Sequence, residues 1–214
     1  MTTILRQGKI SSASSDLEAD LNASVVGEVR FDEVSRQMYS TDASLYRIEP
    51  IGVVIPRDSS DVQAVLEIAG KNKVSVLPRG GGTGLSGQTV NHAIVLDFSK
   101  YMHEVKEINQ EERWVRTQPG VTIDDLNRQV RHTGLFFTPD PSTSSRANIG
   151  GAMGNNSCGA RSIIYGKTVD QVISMNVVLS DGSPTIFEQL SPGLLESKLK
   201  SENLEGRIYN QVNE

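Results

Sequence analysis

The stretch that decides the fold is PRGGGTGLSGQ, residues 78–88, which lies between two apolar segments. Residues 82–87 (GTGLSG) match the GxGxxG pattern of dinucleotide-binding folds. That fold needs a helix to begin at the glycines, so that the helix N-terminus faces the pyrophosphate. Here QTVNHAIVLDF runs directly into a strand, and no Lys-Ser/Thr pair makes a P-loop. The pattern predicts either a strand–loop–strand nest of backbone N–H groups that binds pyrophosphate, or an ordinary glycine-rich turn.

The segments around this loop predict a βαβ unit. GVVIP (52–56), VSVLP (74–78) and AIVLDF (93–98) have the length and apolar character of buried strands. Between the first two lies an amphipathic helix, for which Ser60 and Gln63 predict a capping box and Val62, Val65, Leu66 and Ala69 a buried face. A strand, a helix and a strand of these lengths imply parallel pairing.

The rest of the chain predicts helices and antiparallel strands. Residues 1–15 are expected to form a loose tail, followed by a helix from Asp16 and a second amphipathic piece over 31–39. Beyond residue 103 we expect two strands within 104–118, a helix capped by Thr122 and ended by Gly134, and a hairpin turning at Asp181-Gly182. The predicted class is α+β, with a parallel βαβ subdomain over 16–103 and an antiparallel-sheet subdomain with helices over 104–214.

Composition excludes several classes of function. The 214 residues carry a net charge of −5, which disfavours nucleic acid and anionic membranes as partners. No apolar run approaches the roughly 20 residues of a transmembrane helix. The single cysteine, Cys158, rules out an internal disulfide and any Cys-based metal site, so no metal is expected and a reducing cytoplasm is the predicted compartment.

A second glycine-rich stretch, PDPSTSSRANIGGAMGNNSCGARSIIYG, spans residues 139–166. Its prolines stiffen an extended approach, and glycines 150 and 151 at a helix start let a flat ring or sugar chain press on the backbone. The amides and hydroxyl of residues 155–157 suit a polar heteroaromatic edge. The same residues are equally compatible with a structural loop whose asparagines cap their own turns.

Taken together, the order strand-RGGGTGLSG-strand, then PGVT (119–122), then PDPS…IGG…NN…GA…YGKT resembles the FAD-binding domain of the vanillyl-alcohol-oxidase or PCMH type. That domain belongs to D-lactate, D-2-hydroxyglutarate and glycolate dehydrogenases. The resemblance covers residues 51–187, and YSTDASLYRIEP (39–50) looks like the subgroup fused to an iron–sulfur half. It implies an FAD-dependent oxidoreductase that oxidises a small D-2-hydroxy acid and passes electrons to a non-nicotinamide acceptor.

The resemblance also implies roles for individual residues. The expected pyrophosphate loop is Gly80, Gly81, Gly82, Thr83, Gly84, Leu85 and Ser86, with charge from Arg79. Residues expected along the flavin and ribityl chain are Pro139, Asp140 and Ser142. Those expected to pack on the cofactor or close behind it are Ile149, Gly150, Gly151, Asn155, Asn156, Ser157 and Gly159. Tyr165 and Gly166 follow on the same side, and Val172 is expected near the adenosine.

Departures from the family pattern refine these expectations. Covalently flavinylated relatives carry a histidine at Thr83, and those with a cysteinyl link carry C-P-T-V where this chain reads STSSRA, so non-covalent FAD is implied. Cys158 is expected to be a small packing residue, Trp114 a core residue, and the three histidines (His92, His103 and His132) surface residues. Asp140 is either a catalytic acid or an aspartate that accepts backbone hydrogen bonds in its turn.

The chain offers no convergent Arg/His set to bind a substrate carboxylate and remove a hydroxyl proton. The family places those groups in a following substrate domain, and the chain ends within an apparent helix, so a truncated piece of a longer protein is expected. Two alternatives stay open: a flavin domain resembling the reductases of enolpyruvyl sugar nucleotides, and a non-catalytic module that uses this fold for binding.

Overall fold

The computed structural model describes residues 12–213, with side chains from Ser15 onward. The first elements are α1 (Ser12–Ser24), β1 (Glu28–Arg30), α2 (Glu33–Met38), β2 (Gly52–Ile55), α3 (Ser59–Asn72), β3 (Val76–Arg79) and β4 (Ile94–Asp97). Next come β5 (Val105–Asn109), β6 (Trp114–Thr117), α4 (Ile123–Val130), α5 (Ile149–Asn155) and α6 (Ser162–Tyr165). The last are β7 (Ser174–Val178), β8 (Pro184–Glu188), α7 (Pro192–Leu199) and α8 (Leu204–Asn213).

The N-terminal part is built on a four-stranded sheet in the order β1-β2-β4-β3. The strands β2 and β3 are parallel, as predicted, but they do not pair with each other. Instead β4 lies between them, and Val95 stands opposite Val53 on one side and Leu77 on the other. The edge strand β1 pairs antiparallel with β2, so the sheet is mixed.

The alternation of side chains along the central strands divides the apolar residues between the two faces of the sheet. Val54, Ile94 and Leu96 pack with residues of α1 and α3 in the larger core. Val53, Ile55 and Val95 point to the other face, where Tyr39 and Tyr101 cover them. Because both faces are covered, β2 and β4 are buried throughout.

The helices that cover this sheet begin earlier than predicted. Helix α1 starts at Ser12, within the predicted tail, whose residues 1–11 lie outside the described residues. Helix α3 is capped by Asp58, whose carboxylate accepts the N–H groups of Ser60 and Asp61, so the predicted capping box at Ser60 was wrong. Ile68 is buried on α3, and Leu66 only partly so.

The second half packs around its own core, in which Val121, Ile123, Leu126, Val130, Ala147, Ile149 and Ala152 are buried. Thr122 caps α4 as predicted, and Gly134, with φ +75°, ends the 3-10 turn that follows it. The predicted strand pairs form two separate two-stranded ribbons, β5-β6 and β7-β8. Trp114 is half-buried on β6 and donates to Glu112 at 2.7 Å, so its assignment to the core was wrong.

Across residues 12–213, none of the helices combines the length and the apolar character that a membrane crossing requires.

Candidate cofactor-binding site

The glycine loop leaves the sheet at the end of β3 and returns at Ile94 without forming a helix, as the sequence predicted. Within the described residues, no backbone N–H group from Gly80 to Leu85 donates a hydrogen bond. The next one, on Ser86, donates to the Gln88 side chain at 3.1 Å. Gly82 has φ +63°, which a residue with a Cβ rarely adopts. The loop therefore presents a run of unpaired donors, which is the arrangement of an anion-binding nest.

Asn148 links this loop to the second half of the molecule. Its side chain is 4% exposed and donates from Nδ2 to the Gly120 carbonyl at 2.5 Å. Its Oδ1 is buried and has no hydrogen-bond partner among residues 12–213. A Cβ placed on Gly80 would lie 2.5 Å from this Oδ1, and one on Gly81 would meet the Arg146 carbonyl. Both glycines are thus required for the close approach of the loop to the segment before α5.

The turn at residues 119–122 holds the start of α5. The N–H of Gly150 donates to the Pro119 carbonyl at 2.9 Å, and that of Ile149 donates to the Val121 carbonyl at 2.8 Å. A Cβ on Gly150 would lie 2.7 Å from the Pro119 Cβ, whereas one on Gly151 would meet open space. The paired glycines therefore differ: Gly150 is needed by the protein's own packing, and Gly151 leaves its face of α5 free.

Arg79 is placed differently from what the sequence suggested. Its Nη1 donates to the carbonyls of Tyr39 and Thr89, at 3.2 and 3.1 Å, and its Nη2 donates to the Thr41 carbonyl at 2.8 Å. Its guanidinium also lies over the Tyr39 ring, 5.3 Å from the centroid. These donors are engaged by backbone carbonyls, so Arg79 braces the loop rather than offering free charge to it.

Asp140 belongs to a turn within the protein. One carboxylate oxygen accepts the Arg161 N–H at 3.0 Å, and the other lies 3.4 Å from the Arg161 Nε. A Cβ on Gly159 would collide with Asp140, so this glycine is required for the contact. Pro139 is buried and Ser142 is exposed. These contacts fit the turn-forming alternative for Asp140.

Of the side chains expected to face a heteroaromatic ring, that of Asn156 is used inside the protein. Asn156 ends α5 with φ +48°, and its Oδ1 accepts the Val169 N–H at 3.0 Å. The Ser157 carbonyl accepts the Oγ1 hydroxyl of the fully buried Thr168 at 2.7 Å. Asn155 is the exception that reaches the loop, because its Oδ1 accepts from the Gln88 Nε2 at 3.2 Å.

The remaining predicted site residues are Tyr165, Gly166 and Val172. Tyr165 packs edge-on against Phe136, with ring centroids 5.9 Å apart, and Gly166 has φ +80°. Val172 lines an apolar cleft of about 470 Å³ between α5 and the β7-β8 ribbon, together with Met153 and Phe187.

The exposure of the side chains tests the predictions made for the cysteine and for the three histidines. Cys158 is exposed, so its expected role as a packing residue was wrong. His92, His103 and His132 are exposed, as predicted. Two of them contact only backbone carbonyls within the described residues: His92 that of Glu49, at 3.2 Å, and His132 that of Gln129, at 2.9 Å.

Solved structures define the class of this fold. Alkyldihydroxyacetonephosphate synthase superposes with a TM-score of 0.71 at 22% identity, covering 82% of this chain and 38% of that one. p-Cresol methylhydroxylase with substrate bound gives a TM-score of 0.72 at 18% identity, covering 82% and 36%. The fold is the FAD-binding fold of the vanillyl-alcohol-oxidase type, as predicted.

The family is shown by the sequence itself. The family described as "FAD binding domain" matches residues 50–187, so the chain belongs to this family of FAD-binding domains. The prediction of FAD as the cofactor is thereby confirmed.

Curated relatives are longer than this chain. D-2-hydroxyglutarate dehydrogenase of Escherichia coli (strain K12) is 41% identical over 189 residues, which are 87% of this chain and 19% of that protein. The enzyme of the same name from Pantoea ananatis (strain AJ13355) is 40% identical over 189 residues, 87% of this chain and 18% of that one. Glycolate oxidase subunit GlcD of Bacillus subtilis (strain 168) is 39% identical over 163 residues, 74% and 34%. The chain spans about a fifth of the two dehydrogenases.

Sequence reasoning missed two buried residues: Asn148, which lies against Gly80 of the glycine loop, and Thr168, which donates to the Ser157 carbonyl in the second stretch. Asn148 is the N-cap residue of α5, two residues before the first of the paired glycines. An amide at that position is a helix-start signal in the sequence. Nothing in the local sequence shows that Thr168 is buried, because its partner, the Ser157 carbonyl, is eleven residues away.

Proposed function

We propose that this chain provides the FAD site of an oxidoreductase that oxidises a small D-2-hydroxy acid and passes electrons to a non-nicotinamide acceptor. The observation that carries the proposal is the run of unpaired backbone N–H groups from Gly80 to Leu85. Consecutive donors in a concave loop stabilise phosphate oxygens without a basic side chain. The glycines leave no Cβ in the way of a pyrophosphate. The loop therefore fits the cofactor.

We divide the predicted site residues into those proposed to contact the cofactor and those whose polar groups or packing are used within the protein. The nest and its flank comprise Gly80, Gly81, Gly82, Thr83, Gly84, Leu85 and Ser86. The flavin and ribityl chain are assigned to Pro139, Ser142, Ile149, Gly150, Gly151, Asn155, Ser157, Tyr165 and Gly166, with Val172 at the adenosine. The residues that act through the protein's own contacts are Arg79, Asp140, Asn156 and Gly159.

We propose that the cofactor is held without a covalent bond. Thr83 stands where covalently linked relatives carry histidine, and its hydroxyl is a poor nucleophile toward a flavin methyl carbon. The test is acid precipitation of the FAD-loaded chain. All yellow colour should pass into the supernatant, whereas flavin retained by the washed pellet contradicts the proposal.

The substrate class follows from the relatives named D-2-hydroxyglutarate dehydrogenase and glycolate oxidase. When bound, the flavin supplies a hydride acceptor at its N5 atom. The reaction also needs a base for the hydroxyl proton and cations for the carboxylate. We assign those groups to the part of such enzymes that this chain does not span. The low cysteine content of this chain supports a cytoplasmic protein.

A comparison of reductants tests this function. The complete gene product, loaded with FAD, should be reduced rapidly by a D-2-hydroxy acid and not by NADPH in stopped-flow experiments at the flavin absorbance. Because the glycine loop runs into β4 and offers no helix N-terminus, calorimetry should also detect no saturable NAD binding. Reduction by NADPH alone would favour the sugar-nucleotide reductases, and absence of FAD binding would favour a non-catalytic module.

A further inference from the structure

Residues 39–46 (YSTDASLY), called here the supporting segment, lie before the residues 50–187 that match the family. None of these residues is among the proposed FAD contacts. In the structure this segment contacts the glycine loop along its length, from the end of β3 to Thr89. Its position allows it to restrict the conformations of the glycine loop.

Arg79 joins the supporting segment to the glycine loop. It is the last residue of β3, and its guanidinium donates to the carbonyls of Tyr39 and Thr41 in the segment. The same guanidinium donates to the Thr89 carbonyl, just past the other end of the glycine loop. One planar side chain thus joins the start of the loop, its end and the segment, which the point charge of a lysine would not reproduce.

Further contacts continue along the loop. The Ala43 N–H donates to the Gly82 carbonyl at 2.9 Å, at the residue with positive φ. The Thr89 hydroxyl donates to the Asp42 Oδ2 at 2.7 Å. Burial opposes ionisation of Asp42, but hydrogen bonds from Ser44 and Thr89 outweigh it and lower its pKa. The Tyr46 ring lies against Gly87, where a Cβ would collide with it.

The base of the segment is fixed to the sheet. The Tyr39 hydroxyl donates to the buried Asp97 on β4 at 2.5 Å. Burial, followed by this hydrogen bond, raises the pKa of Tyr39, so the phenol keeps its proton. The Tyr39 ring lies beneath the Arg79 guanidinium. The segment is therefore held from the strand side as well as from the loop side.

From these contacts we infer that the supporting segment, fastened by Arg79, is a positioning element that holds the glycine loop in its phosphate-binding shape. A glycine-rich loop with no hydrogen bonds among its own N–H groups loses much conformational entropy when it is ordered. Contacts that order it before the ligand arrives improve affinity without touching the ligand. The inference rests on the proposed function, and it makes Arg79 a positioning residue.

Arg79→Lys and Arg79→Gln separate positioning from charge. Both should weaken FAD binding by about tenfold or more, because each loses the hydrogen bonds to carbonyls in two segments. In the cofactor-free protein, hydrogen exchange should become faster at the hydrogen-bonded amides of the segment and the loop, those of Ala43, Ser44 and Ser86. Arg116→Lys is the matched control, since Arg116 is exposed on β6 and lies over the Trp114 ring. It should leave affinity and exchange unchanged.

If Arg79 acted by its charge on phosphate, Lys would retain the wild-type affinity and Gln alone would lose it, and that result overturns the inference. Thr89→Val provides a second route, because it removes one hydroxyl and leaves the Arg79 contacts in place. It should speed exchange at the Ala43 and Ser44 amides of the segment, and weaken FAD binding by roughly two- to fivefold. Unchanged exchange in the segment contradicts the inference even if the Arg79 variants do not fold.

Different results contradict the proposed function and the role of the supporting segment. Absence of FAD binding by the wild-type chain contradicts the proposed function. Wild-type binding together with unchanged affinity and exchange in Arg79→Lys contradicts only the inference.

Discussion

Gly81 and Gly84 lie three residues apart in the glycine loop, yet a side chain would have different consequences at each. A Cβ on Gly81 would meet the backbone carbonyl of Arg146, which cannot move without shifting the segment before α5. A Cβ on Gly84 would lie 2.5 Å from the end of the Gln88 side chain, which is flexible. Substitution at Gly81 therefore tests the packing of the protein, and substitution at Gly84 tests the ligand site.

Gly84→Val should lower FAD affinity at least ~tenfold, or about 1.4 kcal/mol, while the cofactor-free protein remains folded. The added branch displaces only Gln88 within the protein but occupies the approach to the unpaired N–H groups. Affinity is measured by fluorescence titration, and the fold by circular dichroism and thermal unfolding.

Gly70→Ala is the matched control, because Gly70 lies in α3 and a Cβ there meets no atom within 4 Å. It should leave FAD affinity unchanged and stabilise the helix by about 0.5–1 kcal/mol. Equal FAD affinity in Gly84→Val and the wild type would mean that the loop is merely a turn.

Residue roles were predictable only where the backbone dictates them. The loop at residues 80–86 could be located because clustered glycines have few uses. Arg79 was expected to supply charge, since a sequence displays a guanidinium but not the three carbonyls that engage it. Asn156 was assigned to a ring edge for the same reason, and its partner, the Val169 N–H, is thirteen residues away.

Elements were predicted better than their pairing. The strands β2, β3 and β4 were each identified from short apolar runs, and their parallel direction followed from the connection through α3. Their order did not follow, because β4 is inserted between β2 and β3 by the path of the glycine loop. The antiparallel edge strand β1 has only three residues, too few for a periodicity.

The start of α3 gives a stability prediction. Asp58→Ala should cost about 1 kcal/mol in the free energy of unfolding, because its carboxylate accepts two otherwise unpaired N–H groups. Ser60→Ala, at the residue first predicted as the cap, should change it by less than about 0.5 kcal/mol. Urea unfolding of both variants decides between them. A larger cost at Ser60 than at Asp58 is incompatible with the observed cap.

The contact between β1 and the turn after β4 predicts a pH dependence. Glu28 accepts hydrogen bonds from Lys100, Tyr101 and Arg30, which lower its pKa from 4.5 to about 2. Since the folded pKa lies below the unfolded one, this contribution to stability is fully present above pH 4.5 and is lost as the pH falls towards 2.

Glu28→Gln measures that contribution. Near neutral pH it should destabilise the protein by about 1 kcal/mol, a modest value because the partner side chains are partly exposed and solvent screens them. The difference from the wild type should shrink as the pH falls from 4.5 towards about 2, because in this range the unfolded chain binds a proton that the folded carboxylate does not. A difference independent of pH in denaturant titrations would assign the effect to packing.

Over the whole molecule, the site joins two cores. The glycine loop and supporting segment belong to the sheet half, and α5 belongs to the second core, with Asn148 between them.

The region after α5 leaves large aliphatic side chains exposed, with Ile163 at 95% and Ile164 at 78%. Exposed apolar side chains promote association. Sedimentation velocity should show the weight-average mass rising with concentration, and Ile163→Ser with Ile164→Ser should reduce that rise.

The last prediction concerns turnover. Loaded with FAD, this chain should not oxidise D-lactate, D-2-hydroxyglutarate or glycolate with an artificial dye as acceptor. Two cations of the proposed site are engaged by the protein itself, Arg79 by backbone carbonyls and Arg161 by Asp140, and the three histidines are exposed. Without a carboxylate clamp and a base, the loss of orientation and proton transfer removes roughly four orders of magnitude or more.

The E. coli D-2-hydroxyglutarate dehydrogenase, about five times as long as the region it shares with this chain, is the positive control with D-2-hydroxyglutarate. It should reduce the dye under conditions in which the FAD-loaded chain is silent. Flavin absorbance in the same samples ensures that silence reflects missing groups rather than missing cofactor. Comparable turnover by the chain would mean that its own residues provide the base and the carboxylate clamp. The first residues to substitute would then be Arg146 and Lys167, because neither has an ion-pair partner among the described residues.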